Sequence, residues 1–276
     1  MKRIVLFMVC IFLLPAIFTE ASTKEKNGQL IYAAERGTLT EVQDALNGGA
    51  DVNAKNAFGL TALMMASYGG YTLGNYAEVV KLLLAKGADV NIKGKEDITA
   101  LMKASTNGNT EVVKLLLAKG ADINVKNYKG KTALMFASHD GNVEVVKLLL
   151  DKGADINIKT DEGITALMEA SGHGYAEKVK NSVGKTALTE ASSSGYTEVV
   201  KLLLVKSADI NIKTDEGITA LMFASHDGNA EVVKLFLAKG ADINIKNSKG
   251  ETALMIAKDK GYKEIIGLLE RAGAKK

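Results

Sequence analysis

The chain of 276 residues contains no tryptophan, a single cysteine, a single proline and only 5% aromatic residues. A core without large rings must be filled by Ala, Leu, Val, Ile and Met, and a hydrophobic content of 47% supplies enough of them. A single thiol closes no intrachain disulfide and excludes the zinc patterns built from several cysteines. A dominant charge sign is lacking as well. The formal net charge is +3, and the 24% of charged residues mix both signs along the chain. That pattern is a solvated surface, without the basic stripe of a nucleic-acid binder.

One long apolar run is present, at the start. Met1-Lys2-Arg3 precedes Ile4 to Leu14, Pro15 breaks the run, and Thr19-Glu20-Ala21 ends on a small residue before Ser22. This order predicts a signal peptide over 1–21, cleaved after Ala21, leaving 22–276. The run falls short of the ~20 apolar residues of a membrane span, so no membrane attachment is expected after cleavage. Cys10 follows Val9 inside the run, which does not suit lipid attachment. Cleavage removes the only cysteine and the only proline. Export without disulfides points to a bacterial envelope, periplasmic or secreted.

From Asn27 onward the sequence repeats. A Thr-Ala-Leu motif opens at Thr61, Thr99, Thr132, Thr165, Thr186, Thr219 and Thr252, at spacings of 38, 33, 33, 21, 33 and 33. One full unit runs from Asn127-Tyr128-Lys129-Gly130-Lys131-Thr132-Ala133-Leu134-Met135 through Gly141 and Glu144-Val145-Val146-Lys147-Leu148-Leu149 to Gly153-Ala154-Asp155-Ile156-Asn157. Thr132 is placed to cap a first helix, and Ala133, Leu134 and Ala137 recur on one helical face. Glu144 lies at the positive end of a second helix, and Gly153 ends it in the left-handed conformation. No such unit covers its own apolar face, so neighbours must stack.

These motifs resemble the ankyrin-repeat family from Asn27 to the C-terminus, with Thr-Ala-Leu-Met in place of the family's usual Thr-Pro-Leu-His. The resemblance implies an all-α repeat solenoid of helix-turn-helix units joined by hairpin loops, about seven to eight in number. Asn27 to Asn53 and the segment from Glu264 read as capping repeats.

Two spacings depart from 33. The 38 reflects five extra residues between Tyr68 and Tyr76, which would offer Tyr71 and Leu73. The 21 reads as a deletion of 12, removing the second helix of the Thr165 repeat. A gap in the second-helix layer is therefore expected, with sub-stacks 27–171 and 184–276 joined at a weak point around Tyr175, Lys178 and Lys180. Ser207 stands where other repeats have Gly and must adopt a left-handed conformation, at ~1 kcal/mol.

Catalytic patterns are sparse. Gly130-Lys131-Thr132 and Gly184-Lys185-Thr186 resemble the end of a phosphate loop, but Val125 and Val179 occupy the places of its first glycine. His139, His173 and His226 are the only histidines. His139-Asp140 and His226-Asp227 sit in near-duplicate text, so duplication accounts for them. A metal-dependent hydrolase using His139 and His173 is the competing reading, and a structural or decaying repeat protein is another. No metal or cofactor is expected.

The resemblance also implies that recognition uses the hairpin tips and the inner side of the first helices. At the tips these are Phe58, Leu60, Ile98, Tyr128, Lys129, Lys131, Ile164, Val183, Lys185 and Ile218. On the helices they are Tyr68, His139, Asp140, His173, His226 and Asp227. Phe58 and Tyr128 stand out because aromatic anchors dominate interfaces. The expected function is non-enzymatic binding of another protein by a monomer.

Overall fold

A threonine cap opens six of the first helices. In the computed structural model, which describes residues 23–69, 75–172 and 187–274 (172 and 187–195 by backbone alone), Thr61, Thr132, Thr219 and Thr252 are extended N-caps. Their hydroxyls accept from the amides of Met64, Met135, Met222 and Met255 at 3.3–3.4 Å. Thr99 and Thr165 accept from Met102 and Met168 in the same way. Each bond satisfies one amide that a helix start leaves unpaired.

The first helices are α1 (23–36), α3 (Ala62–Tyr68), α5 (Ala100–Asn107), α7 (Ala133–His139), α9 (Ala166–Gly172), α11 (Ala220–Asp227) and α13 (Ala253–Lys260). The second helices are α2 (Leu39–Asn47), α4 (Tyr76–Ala85), α6 (Thr110–Ala118), α8 (Val143–Asp151), α10 (Ala187–Val205), α12 (Ala230–Ala238) and α14 (Lys263–Arg271). The described residues thus form seven helix pairs in an all-α repeat solenoid. The predicted signal segment 1–21 with Cys10, and also Tyr71, Leu73, His173, Tyr175, Lys178, Lys180, Val183 and Lys185, lie outside the described residues.

Two compact units are present among the described residues. One runs up to Ala104 and includes Glu111–Ala121; the other comprises Ser105–Thr110 and the residues from Asp122 onward. In the first, α3 packs on α4 and α2 on α4. The Tyr76 hydroxyl donates to the Glu35 carbonyl at 3.2 Å. In the second, α7, α9, α11 and α13 pack in succession as one layer, and α8, α10, α12 and α14 as the other. Ala133, Leu134, Met135 and their counterparts in later repeats fill the space between, almost wholly buried. Side chains without rings or β-branches at this contact allow close helix approach.

The second-helix layer differs from the sequence expectation: it carries no gap at the short spacing. The later part of α10 fills the place opposite α9, with Val199, Val200 and Leu203 fully buried. The hydrogen bonds register the same shift. Asn124 and Asn211 accept from the amides of Asp155 and Asp242, each 31 residues on, while Asn157 accepts from Asp209, 52 residues on. The Asn142 side chain donates to Ser105 across 37 residues and Asn229 to Ser171 across 58. Both pairs differ by 21. The 54 residues from Thr165 to Thr219 are one 33-residue repeat carrying 21 extra, shared between the connection after α9 and a 19-residue α10 that runs through Gly195 without a turn. Packing decides this outcome. A second helix that covers α8, α9 and α12 buries apolar surface at roughly 25 cal/mol per Å², whereas extra length in a connection costs little.

Ser207 does take the left-handed conformation, with φ of 65°, where Gly153 and Gly240 have 89° and 76°. Four buried serine hydroxyls at the ends of first helices, those of Ser67, Ser105, Ser138 and Ser225, make no hydrogen bond, while Ser171 donates to the Leu167 carbonyl. Removing residues 174–194, which joins His173 to Gly195 and restores the 33-residue period, should leave a folded chain. Its thermal midpoint should fall within a few degrees of the parent, by circular dichroism. Loss of cooperative unfolding would contradict an insertion.

Candidate protein-binding surface

Each hairpin is built on a side chain that folds the backbone over itself. Asn56 Oδ1 accepts from the amides of Phe58 (2.9 Å) and Leu60 (3.0 Å), and Asn127 Oδ1 from Lys129 (3.0 Å) and Lys131 (2.8 Å). Thr160 Oγ1 does the same for Glu162 and Ile164, and Asn247 for Lys249 and Glu251. Such turns hold a tip in shape without a sheet. Successive hairpins also come very close. A Cβ at Gly130 would lie 2.8 Å from the Asp161 nitrogen, and one at Gly163 2.7 Å from the Thr214 Cα. In the second unit the amides of Asp161, Asp215 and Ser248 donate to the carbonyls of Lys129, Glu162 and Glu216 at 3.4, 3.3 and 2.8 Å. The tips there form one hydrogen-bonded row.

The hairpin before Thr99 is the exception. Gly94 occupies the place of the accepting Asn or Thr, and the tip is a single turn at Lys95–Asp97 with Glu96 and Asp97 at φ of 63° and 57°. Ile98 beside it is half-buried.

The aromatic candidates are exposed. Phe58 is 66% accessible and Tyr128 49%, with Lys129 Nζ 5.3 Å from the centre of the Tyr128 ring. Tyr68 is 38% accessible at the end of α3, under Lys103 Nζ at 4.9 Å. Leu60, Ile164 and Ile218 are half-buried. Lys131 is less available than a tip lysine should be, because its Nζ sits 2.7 Å from the Glu169 carboxylate, itself only 6% exposed. A nearly buried carboxylate requires such a partner. His173, Val183 and Lys185 cannot be placed among the described residues.

His139 and His226 each face the following aspartate, Nδ1 to Oδ1 at 2.9 Å for Asp140 and 2.7 Å for Asp227. Hydrogen bonding to Asp140 raises the His139 pKa above its ordinary value, opposed by desolvation and helped by the charges of Asp140 and Glu169. Among the described residues no three His, Cys, Asp or Glu side chains are grouped to hold a metal, and no helix is long and apolar enough to cross a membrane.

Sequence reasoning missed an open groove of about 630 Å³ on the second unit. Ile164, Ile218, Phe223 and Ile256 line it, and the Lys131–Glu169 pair borders it. Its signal was present in the residue four after the opening Thr of the six repeats other than Thr186, which changes as Met65, Lys103, Phe136, Glu169, Phe223 and Ile256 while its neighbours stay constant.

Paired helices, capping threonines and hairpin tips in a row define a helical repeat array. The family model for ankyrin repeats in three copies matches residues 30–127, 125–181 and 188–276. The chain belongs to the ankyrin-repeat family. Ankyrin repeats form protein–protein interaction modules, and the family is generally non-enzymatic. No curated protein matches the chain.

A raised His139 pKa has a defined sign. The stability drawn from its contact with Asp140 is complete below the pKa of a free histidine and is lost as pH rises through the raised value. In a nuclear magnetic resonance titration, Asp140→Asn should lower the His139 midpoint. An unchanged midpoint would remove the Asp140 contact as its cause.

Proposed function

We infer that this chain is an exported, non-enzymatic scaffold that binds another protein through its hairpin tips and the inner side of its first helices. The observation that carries this reading is the presentation of Phe58 and Tyr128, large rings left exposed on turns that Asn56 and Asn127 hold rigid. A turn whose backbone is already ordered before binding loses little entropy on contact. Lys129 over the Tyr128 ring adds a cation that a partner can share. Export rests on Lys2-Arg3, the apolar run from Ile4 to Leu14 and the small residue Ala21.

Lys131 is the partner of the nearly buried Glu169, and its removal would leave that carboxylate unpaired, so the test should spare Lys131. Phe58→Ala and the pair Tyr128→Ala with Lys129→Glu should each reduce photo-cross-linking to the partner in the native envelope by about tenfold, the scale of a hot-spot loss. The circular dichroism spectrum should stay helical, and the mass of the recovered protein should correspond to an N-terminus at Ser22. Full cross-linking by both variants, or an intact Met1, would overturn the corresponding half of this reading.

A further inference from the structure

The groove of the second unit has a composition that the folding of the repeats does not require. Ile164 and Ile218 come from hairpin tips, and Phe223 and Ile256 from the inner side of α11 and α13. These positions vary from repeat to repeat, as Lys131, Glu251 and Lys103 show at equivalent places. Three successive repeats nonetheless place half-buried apolar side chains against one another here. A grouped apolar surface in an open groove marks a contact site more often than chance exposure does.

The rim gives the sign of the partner. Two of its ammonium groups are already matched within the chain, Lys131 by Glu169 at 2.7 Å and Lys260 by Asp259 at 3.6 Å. Of the other charged side chains that line the groove, Glu216, Asp227 and Glu251 are acidic and Lys249 is basic, with the His226 ring beside them. Asp227 lies against that ring at 2.7 Å, and Glu251 accepts from the neutral Asn247 amide at 2.8 Å. The groove is thus locally acidic on a chain whose net charge is +3. Acidic rims around an apolar floor select against acidic partners and speed the approach of basic ones.

We propose that this groove binds a short segment of another protein in which an aliphatic or aromatic residue is flanked by lysine or arginine. The apolar residue seats between Phe223 and Ile218, and the flanking cations meet Glu216 and Glu251. This rests on the binding function inferred above and names the partner chemistry at one part of the surface.

The probe is a displayed library of random short peptides, selected on the full mature chain. Enriched sequences should carry an apolar residue beside Lys or Arg. Synthetic copies should lose affinity at least about tenfold on Phe223→Ala and on Glu216→Lys with Glu251→Lys. Glu251→Gln, a milder change, should give a smaller loss in the same direction and controls for misfolding. Enrichment of acidic peptides, or of basic ones indifferent to these three variants, overturns the proposal, as does no enrichment at all. Peptides that respond instead to Phe58→Ala or Tyr128→Ala overturn it while leaving the binding function intact.

Discussion

A single repeat of this chain cannot cover its own apolar face, and every other feature follows from that constraint. Ala133, Leu134 and Met135 become almost wholly buried because α9 of the next repeat lies against α7 in addition to α8 of the same repeat. Stability in such an array is a sum of repeat and interface contributions. The sequence is therefore free wherever it does not touch an interface. Hairpin tips, the inner side of the first helices and the connections between paired helices are those places, and the variable residues fall there.

Handling of the irregular spacing is the clearest case. Thr186-Ala187-Leu188 copies the opening of a repeat, and local matching alone would start a new unit there. The layer formed by α8, α10 and α12 instead continues through Tyr196, Val199, Val200 and Leu203. The asparagine ladder along the hairpins continues with it, from Asn157 to Asp209. Interface burial outweighs the local helix-opening signal, because that signal is worth about one capping bond and a missing helix would expose several core side chains at ~1.5–3 kcal/mol each.

Much of the fold was legible from the residues. The capping role of Thr132 and its equivalents, the left-handed Ser207 and the glycine turns are local chemistry, readable from a few neighbouring residues. The registration of the insertion was not, because it depends on which second helix meets α9 in space. The same holds for the surface. Phe58 and Tyr128 are exposed as their tip positions imply. The Lys131–Glu169 pair and the groove floor of Phe223 and Ile256 depend instead on the offset between neighbouring repeats, and no window of one repeat contains it.

The second-helix layer offers the most direct test. Lys206 Nζ lies 2.8 Å from Asp151 Oδ1, 55 residues apart, as α10 runs beside α8. Zero-length carbodiimide coupling followed by peptide mass mapping should therefore yield an Asp151–Lys206 isopeptide in the folded chain. That product should vanish in denaturant. Its absence under native conditions, while Lys234 still couples to Glu264 at 3.0 Å in the same layer, would mean that the layer breaks at the irregular repeat and would contradict a continuous stack.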